Sequence, residues 1–190
     1  MRISDDRYSR DRLRFDIAIH FIRHEARTHT IRQWTGLTDD RIRKLYRSYL
    51  QGNGAPVARH RGKSPQQAGY FLRTVRLRQE AAVLASISCL LGVLRYSQGA
   101  PARLSPGIGR AAPLCQAYET YCALVGEPAI SMEHAVLLLV TLSQGVELAL
   151  QGCRDCGALL VADPLALQLP HCAVCAASGA RHPRPAPRNH

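Results

Sequence analysis

The sequence predicts a mainly α-helical protein, with a multi-helix N-terminal body joined to one small C-terminal module built on cysteines. Three observations predict it. Apolar residues recur at helical spacing along most of residues 13–151. Of the 190 residues 46% are apolar but only 6% aromatic, so aliphatic helix packing must supply the core. Two Cys-x-x-Cys pairs follow the last helical pattern.

A first amphipathic helix is expected over residues 13–28, where Leu13, Ile17 and Phe21 recur every four residues with Ala18 and Ile22 beside them. A short helix over Thr30–Thr35 stops at Gly36. Thr38 then caps a third helix, with Asp39 and Asp40 in the first turn, where negative charge suits the helix dipole. Leu37 and Ile42 stand at the two positions of a hydrophobic staple. Ile42, Leu45, Tyr46 and Tyr49 line its inner face, and QGNGAP ends it near Leu50. Ser64 and Pro65 suit the start of a helix running to about Tyr96, basic in its first half and apolar almost all round in its second. Residues 99–113 read as a Gly/Pro-rich linker. Leu114, Tyr118, Tyr121 and Val125 mark a helix that ends before Gly126. Ser131 caps a last long helix with Val136, Leu139, Val146 and Leu150 on its inner face, ended by Gly152.

The cysteine module begins at once. Its spacing is Cys153-x2-Cys156, fifteen residues, then Cys172-x2-Cys175. That is a zinc-site signature. Two cysteines three apart on a tight turn aim both sulfurs at one point, and two such turns complete a tetrahedron with Zn–S bonds of about 2.3 Å. The intervening ALLVADPLALQLP suits a β-hairpin turning at Asp163-Pro164, which makes the module a four-cysteine zinc ribbon. Four thiolates leave no open position for water, so one structural Zn2+ is expected rather than a catalytic one. The alternative is a redox dithiol, which usually opens a helix after a strand in a thioredoxin-like unit, and no such pattern is present. Cys89, Cys115 and Cys122 lie in helical apolar runs and read as core.

The formal net charge is +11, and ten Lys/Arg residues fall between Arg41 and Gln79, a stretch without one carboxylate. Solvated faces usually mix both signs. A concentrated positive stretch instead favours a polyanion: nucleic acid first, a membrane surface as the competing reading. Candidate contacts to double-stranded DNA are Arg41, Arg43, Lys44, Arg47, Arg59, Arg61, Lys63, Arg73 and Arg76. Helix, short helix, Gly-containing turn and capped basic helix is also a helix-turn-helix order. The charged N-terminal MRISDDRYSRDRLRF has no signal-peptide character, and the most apolar run, residues 81–94, is shorter than a spanning helix needs. A soluble cytoplasmic protein with reduced thiols is therefore expected. His24-Glu25 with His29 misses the His-Glu-x-x-His spacing of zinc proteases. His20 and His24 lie one turn apart with no third ligand in view, and His171 is a weaker candidate ligand than Cys172. No catalytic constellation is present, so no enzyme is expected.

Two stretches together resemble the FlhC family of flagellar transcriptional activators. One is TGLTDDRIRKLYRSYLQGNGAP, residues 35–56; the other is CRDCGALLVADPLALQLPHCAVC, residues 153–175, attached directly to a helical body of matching length. The chain departs from the family pattern in RHRGKSPQQAGYF, which is more basic and lacks a tryptophan soon after Ser64. The resemblance implies a helical fold with zinc on Cys153, Cys156, Cys172 and Cys175. It implies DNA binding upstream of flagellar operons in a hetero-oligomer with the FlhD subunit, and recruitment of RNA polymerase. The expected organisation is a helical body over 1–151, with a basic DNA-binding region at about 28–80 and apolar core or partner helices over 81–151. The zinc ribbon follows over 152–176, and a disordered tail over 177–190. The alternative function is a zinc-stabilised protein–protein adaptor that does not touch DNA.

Overall fold

A computed structural model describes residues 2–53, 62–95, 103–167 and 171–178, and among them the fold is mainly helical, as expected. Helix α1 spans Arg2–Arg23, α2 Thr28–Thr35 and α3 Asp39–Asn53. A 3-10 turn, Ala68–Leu72, leads into α4, Val75–Leu90. Helix α5 spans Ile108–Val125, α6 Met132–Gln144 and the short α7 Ala173–Ser178. Strands β1, Ala149–Gly152, and β2, Leu159–Ala162, pair antiparallel with Leu150 opposite Val161.

The first three helices pack on one another because each buries one apolar stripe. Ile17, Ala18, Phe21 and Ile22 of α1 are buried, while Leu13, expected on that stripe, is exposed. A left-handed residue, Glu25 at φ 57°, ends the first bend, and the Ala26 N–H reaches back to the Phe21 carbonyl at 2.9 Å. That is a Schellman closure. Trp34 of α2 is fully buried beside Phe21, with ring centroids 6.4 Å apart. Gly36, at φ 71°, closes α2 with its N–H on the Arg32 carbonyl. Thr38 sits before α3 with its hydroxyl 3.5 Å from the Arg41 N–H. Ile42 and Tyr46 of α3 are buried, and the Tyr46 hydroxyl donates to the Ala26 carbonyl at 2.6 Å. The expected inner face of α3 is therefore present.

Several expected boundaries are corrected, beginning with the first helix, which runs over Arg2–Arg23 rather than over residues 13–28. The helix expected from Ser64 starts instead at Val75, where the Thr74 hydroxyl accepts the Leu77 N–H at 3.1 Å. Residues 62–67 run without helix, and the 3-10 turn seats Phe71 in the core first. That helix also stops at Leu90 rather than near Tyr96, because Gly92 takes φ 70°. Helix α5 begins at Ile108, inside the expected linker, since Ala111 and Leu114 bury completely despite Pro113. The last long helix ends at Gln144, where Gly145 at φ 67° donates to the Thr141 carbonyl. Val146 is thus exposed and Leu150 belongs to β1 rather than to a helix face.

Helices α4, α5 and α6 carry the larger part of the core, with Leu84, Leu114, Tyr121, Leu138 and Leu139 fully buried. Helix α5 also packs on α1 and α2, and β2 packs on α4, so one continuous cluster runs from Ile17 to Val161. No described helix is long and apolar enough to cross a membrane.

Candidate metal centre and basic surface

The hairpin places the cysteines in a way the sequence did not suggest. It turns at the first Cys-x-x-Cys knuckle, not at Asp163-Pro164: β1 enters the knuckle, β2 leaves it, and Gly152 pairs with Leu159. Two backbone bonds fold the knuckle, Cys153 N–H to the Ala158 carbonyl at 2.7 Å and Gly157 N–H to the Cys153 carbonyl at 3.0 Å. Gly157 sits at φ 75°, a left-handed conformation that side chains resist. Asp163 accepts the Leu165 N–H at 2.8 Å and ends β2 instead. The second pair stands where α7 begins, and Cys175 lies on α7, which continues through Ser178 into the start of the expected tail. The rest of that tail, residues 179–190, lies outside the described residues.

All four ligand atoms, Sγ of Cys153, Cys156, Cys172 and Cys175, lie within 4.8 Å of one another. Cys156 Sγ and Cys172 Sγ are 3.7 Å apart. A tetrahedron with metal–sulfur bonds of about 2.3 Å has edges of about 3.8 Å, whereas a disulfide needs about 2.05 Å. All seven cysteines are free thiols. Backbone N–H groups point at the sulfurs: Cys172 N–H donates to Cys153 Sγ at 3.2 Å, and Cys175 N–H to Cys172 Sγ at 3.3 Å. Burial works against ionisation of Cys153, but N–H donors from Cys156, Cys172 and Asp155 outweigh it and bring its thiol down to about 6. Cys175, hydrogen-bonded to Cys172 and buried, is pushed up instead. Such a set can hold one metal ion. His171 is not part of it; its Nδ1 pairs with Asp155 at 2.7 Å, beside the cluster.

On α3 the expected basic residues all face outward. Arg41, Arg43, Lys44 and Arg47 are exposed, opposite the buried Ile42 and Tyr46. Arg43 is held by Asp40 at 2.8 Å, and Arg41 lies over Phe15 at 5.9 Å from the ring centroid. Lys63 and Arg73 are exposed and line one pocket together. Arg76 is exposed too, and it donates to Glu80 at 2.7 Å and to the Glu127 carbonyl at 2.5 Å. Arg59 and Arg61 lie outside the described residues.

Two polar clusters escaped the sequence reading. Glu80, buried on α4, accepts from the Tyr121 hydroxyl, the Ala129 N–H and Arg76. His20 and His24, one turn apart at the C-terminal end of α1, share Glu119 of α5, at 2.8 and 3.2 Å from its Oε1. Burial raises the Glu119 carboxyl, but the two imidazole bonds outweigh it and hold it below the usual range. Because the folded value is depressed, this contribution is present above the unfolded carboxyl pKa and is lost as pH falls through the folded one. The groups are nearly half exposed. Glu119→Gln is therefore expected to cost about 1 kcal/mol or less, read from denaturant midpoints at neutral pH. Cys115 is buried, which pushes its thiol up to about 12 and makes it an inert core residue. Cys89 and Cys122 are half-buried against the same core.

No family model and no curated protein sequence matches this chain.

Proposed function

We propose that this protein is a DNA-binding transcription activator whose C-terminal module is held by one structural zinc ion. The observation that carries the reading is the pairing of an outward-facing basic helix, α3, with four sulfurs at the spacing of a closed tetrahedral site. Cys153, Cys156, Cys172 and Cys175 would hold the zinc, whose role there is to cross-link the hairpin to α7. Helix α2, a three-residue turn and α3 follow helix-turn-helix order, so α3 is the element to enter the major groove. Arg41, Lys44 and Arg47 supply the charge on it, Arg41 steadied on Phe15. Neutralising phosphates there releases counterions, which gives strong and salt-dependent binding. The flagellar assignment, with FlhD as partner and RNA polymerase as the recruited enzyme, rests on the resemblance of residues 35–56 and 153–175 alone.

A gel shift on flagellar promoter duplex, with FlhD present, tests this. The protein is expected to shift the duplex at low salt. Lys44→Ala with Arg47→Ala is expected to lower the slope of log affinity against log salt by about 2. Binding of FlhD without any shift at low salt, and with no salt dependence, would favour the zinc-stabilised adaptor instead.

A further inference from the structure

Beside Arg27, between the start of α2, the 62–67 segment, the 3-10 turn and α6, lies an open pocket of about 440 Å³. Its lining holds three cations, Arg27, Lys63 and Arg73, with Ser64 and Gln67 as neutral hydrogen-bonding groups. Among the described residues no carboxylate lines it. Glu133 engages Arg27 instead, accepting its backbone N–H at 2.8 Å, with its other oxygen 4.0 Å from Arg27 Nε. Among the described residues no carboxylate pairs with Lys63 or Arg73, and both line this pocket.

The pocket is also built rather than accidental. Arg27 Nη1 donates to the Lys63 carbonyl at 2.5 Å, which fixes the 62–64 loop. Gly62 sits at φ 100°, a left-handed backbone that favours glycine, and a Cβ there would meet the Arg27 guanidinium at 3.8 Å, an ordinary contact. Arg73 is held from two sides. Its Nη2 donates to Gln67 Oε1 at 2.6 Å, and its guanidinium lies 5.8 Å from the Tyr70 ring centroid. Tyr70 is fixed in turn, stacked on His134 at 4.3 Å and donating to the Ala129 carbonyl. A guanidinium ordered before binding loses less entropy when an oxyanion arrives. With its oxygen committed to Arg73, Gln67 keeps its amide N–H groups for the same oxyanion.

We propose that this pocket seats one backbone phosphate of duplex DNA, held by Lys63 and Arg73 with Ser64 and Gln67, as a second anchor apart from helix α3. The inference rests on the DNA-binding reading above and adds where the backbone is gripped. A phosphate seat gives position without sequence preference, so it fixes how α3 lies in its groove.

The test is fluorescence anisotropy on a labelled duplex, with the full chain and its partner, from about 50 to 200 mM salt. Lys63→Ala with Arg73→Gln is expected to flatten the salt slope by about 2, equally on specific and unrelated duplexes. The affinity lost across that salt range should shrink roughly tenfold relative to wild type. Gln67→Glu, which places a carboxylate in the seat, should weaken binding at least tenfold, and Lys63→Arg should restore the slope. Far-UV circular dichroism and bound metal should be unchanged in all of them. Binding by wild type with an unaltered slope in the double variant overturns the pocket and leaves α3 as reader. No binding by wild type at the lowest salt overturns both.

Discussion

Replacing Cys153 with serine should leave the purified protein metal-free and unfold its C-terminal module, while α1 to α6 persist. The hairpin has only four residue pairs, and a two-stranded hairpin is marginal in water without help. Val161 and Leu150 anchor it on the core, and β2 packs on α4. The knuckle and the segment that opens α7 meet at the sulfur cluster and at the His171–Asp155 pair beside it, and structural zinc in small peptides supplies about 10–16 kcal/mol of folding energy. Serine cannot replace a thiolate as a soft ligand, and Cys153 is one of the two buried members, with its sulfur receiving the Cys172 N–H. Native mass measurement should find one metal ion per chain in wild type and none in Cys153→Ser. Hydrogen exchange should show protection lost in β1, β2 and α7 and kept in α4 and α5. Cys115→Ser, at a core thiol away from the cluster, should keep its metal. A metal-free Cys153→Ser protein with full protection across the hairpin would show that the metal does not hold the module, and the structural role would be withdrawn.

The four-cysteine cluster was legible because its chemistry is local: two knuckles, each with cysteines three positions apart, announce themselves by spacing. The way the module folds was not. Asp163-Pro164 looked like the hairpin turn, yet Cys153–Cys156 is the turn, because the strand that pairs with β2 precedes the first cysteine. That strand was hidden by a coincidence of period. Val146 and Leu150 continue the helical spacing of Val136 and Leu139, while Leu148 and Leu150 also fit strand alternation; only the left-handed Gly145 decides between them. In the same way Ser64-Pro65 offered a good local cap, but burial of Phe71 fixes the chain there and the helix waits for Thr74. The helix-turn-helix order, the cap at Thr38 and the inner face of α3 were readable, since each depends on neighbours within two turns. The clusters around Glu80 and Glu119 were not. Apart from Arg76, four residues from Glu80, their partners lie 41 to 99 residues away, and nothing in one sequence pairs Glu80 with Tyr121 or Glu119 with His20. Arg76 illustrates the point: in the sequence it is one more positive charge in the basic run, and in the fold it also donates to Glu80 and the Glu127 carbonyl while its side chain stays 60% exposed.

Glu80→Ala should be the most damaging single change outside the cysteines. Its carboxylate is 5% exposed and joins three pieces of chain. Oε1 accepts from Arg76 on its own helix; Oε2 accepts the Tyr121 hydroxyl from α5 and the Ala129 N–H at 2.8 Å from the loop before α6. Tyr121 relays the connection, since its oxygen accepts the Ile130 N–H at 3.2 Å. Alanine removes the acceptor but leaves the Tyr121 hydroxyl and the Ala129 N–H without a partner, each costing about 1–3 kcal/mol. The total, about 3–5 kcal/mol, corresponds to a fall in melting temperature on the order of 10 °C for a chain of this size. Glu80→Gln keeps one oxygen and should lose roughly half as much. Acid should reproduce the effect in wild type. Burial raises the Glu80 carboxyl, but bonds from Tyr121, Arg76 and Ala129 outweigh it and hold it below its ordinary value of 4.5. The unfolded chain therefore takes the proton first. The stabilisation is complete above that ordinary value and drains away as pH falls through the depressed folded one. Wild type should lose stability steeply there, and Glu80→Gln should lose less over the same interval, so the two melting curves converge in acid. If they stayed parallel at every pH while Glu80→Ala melted with wild type near neutrality, the carboxylate would be a bystander, and the join between α4, α5 and the 127–130 loop would have to come from apolar packing alone.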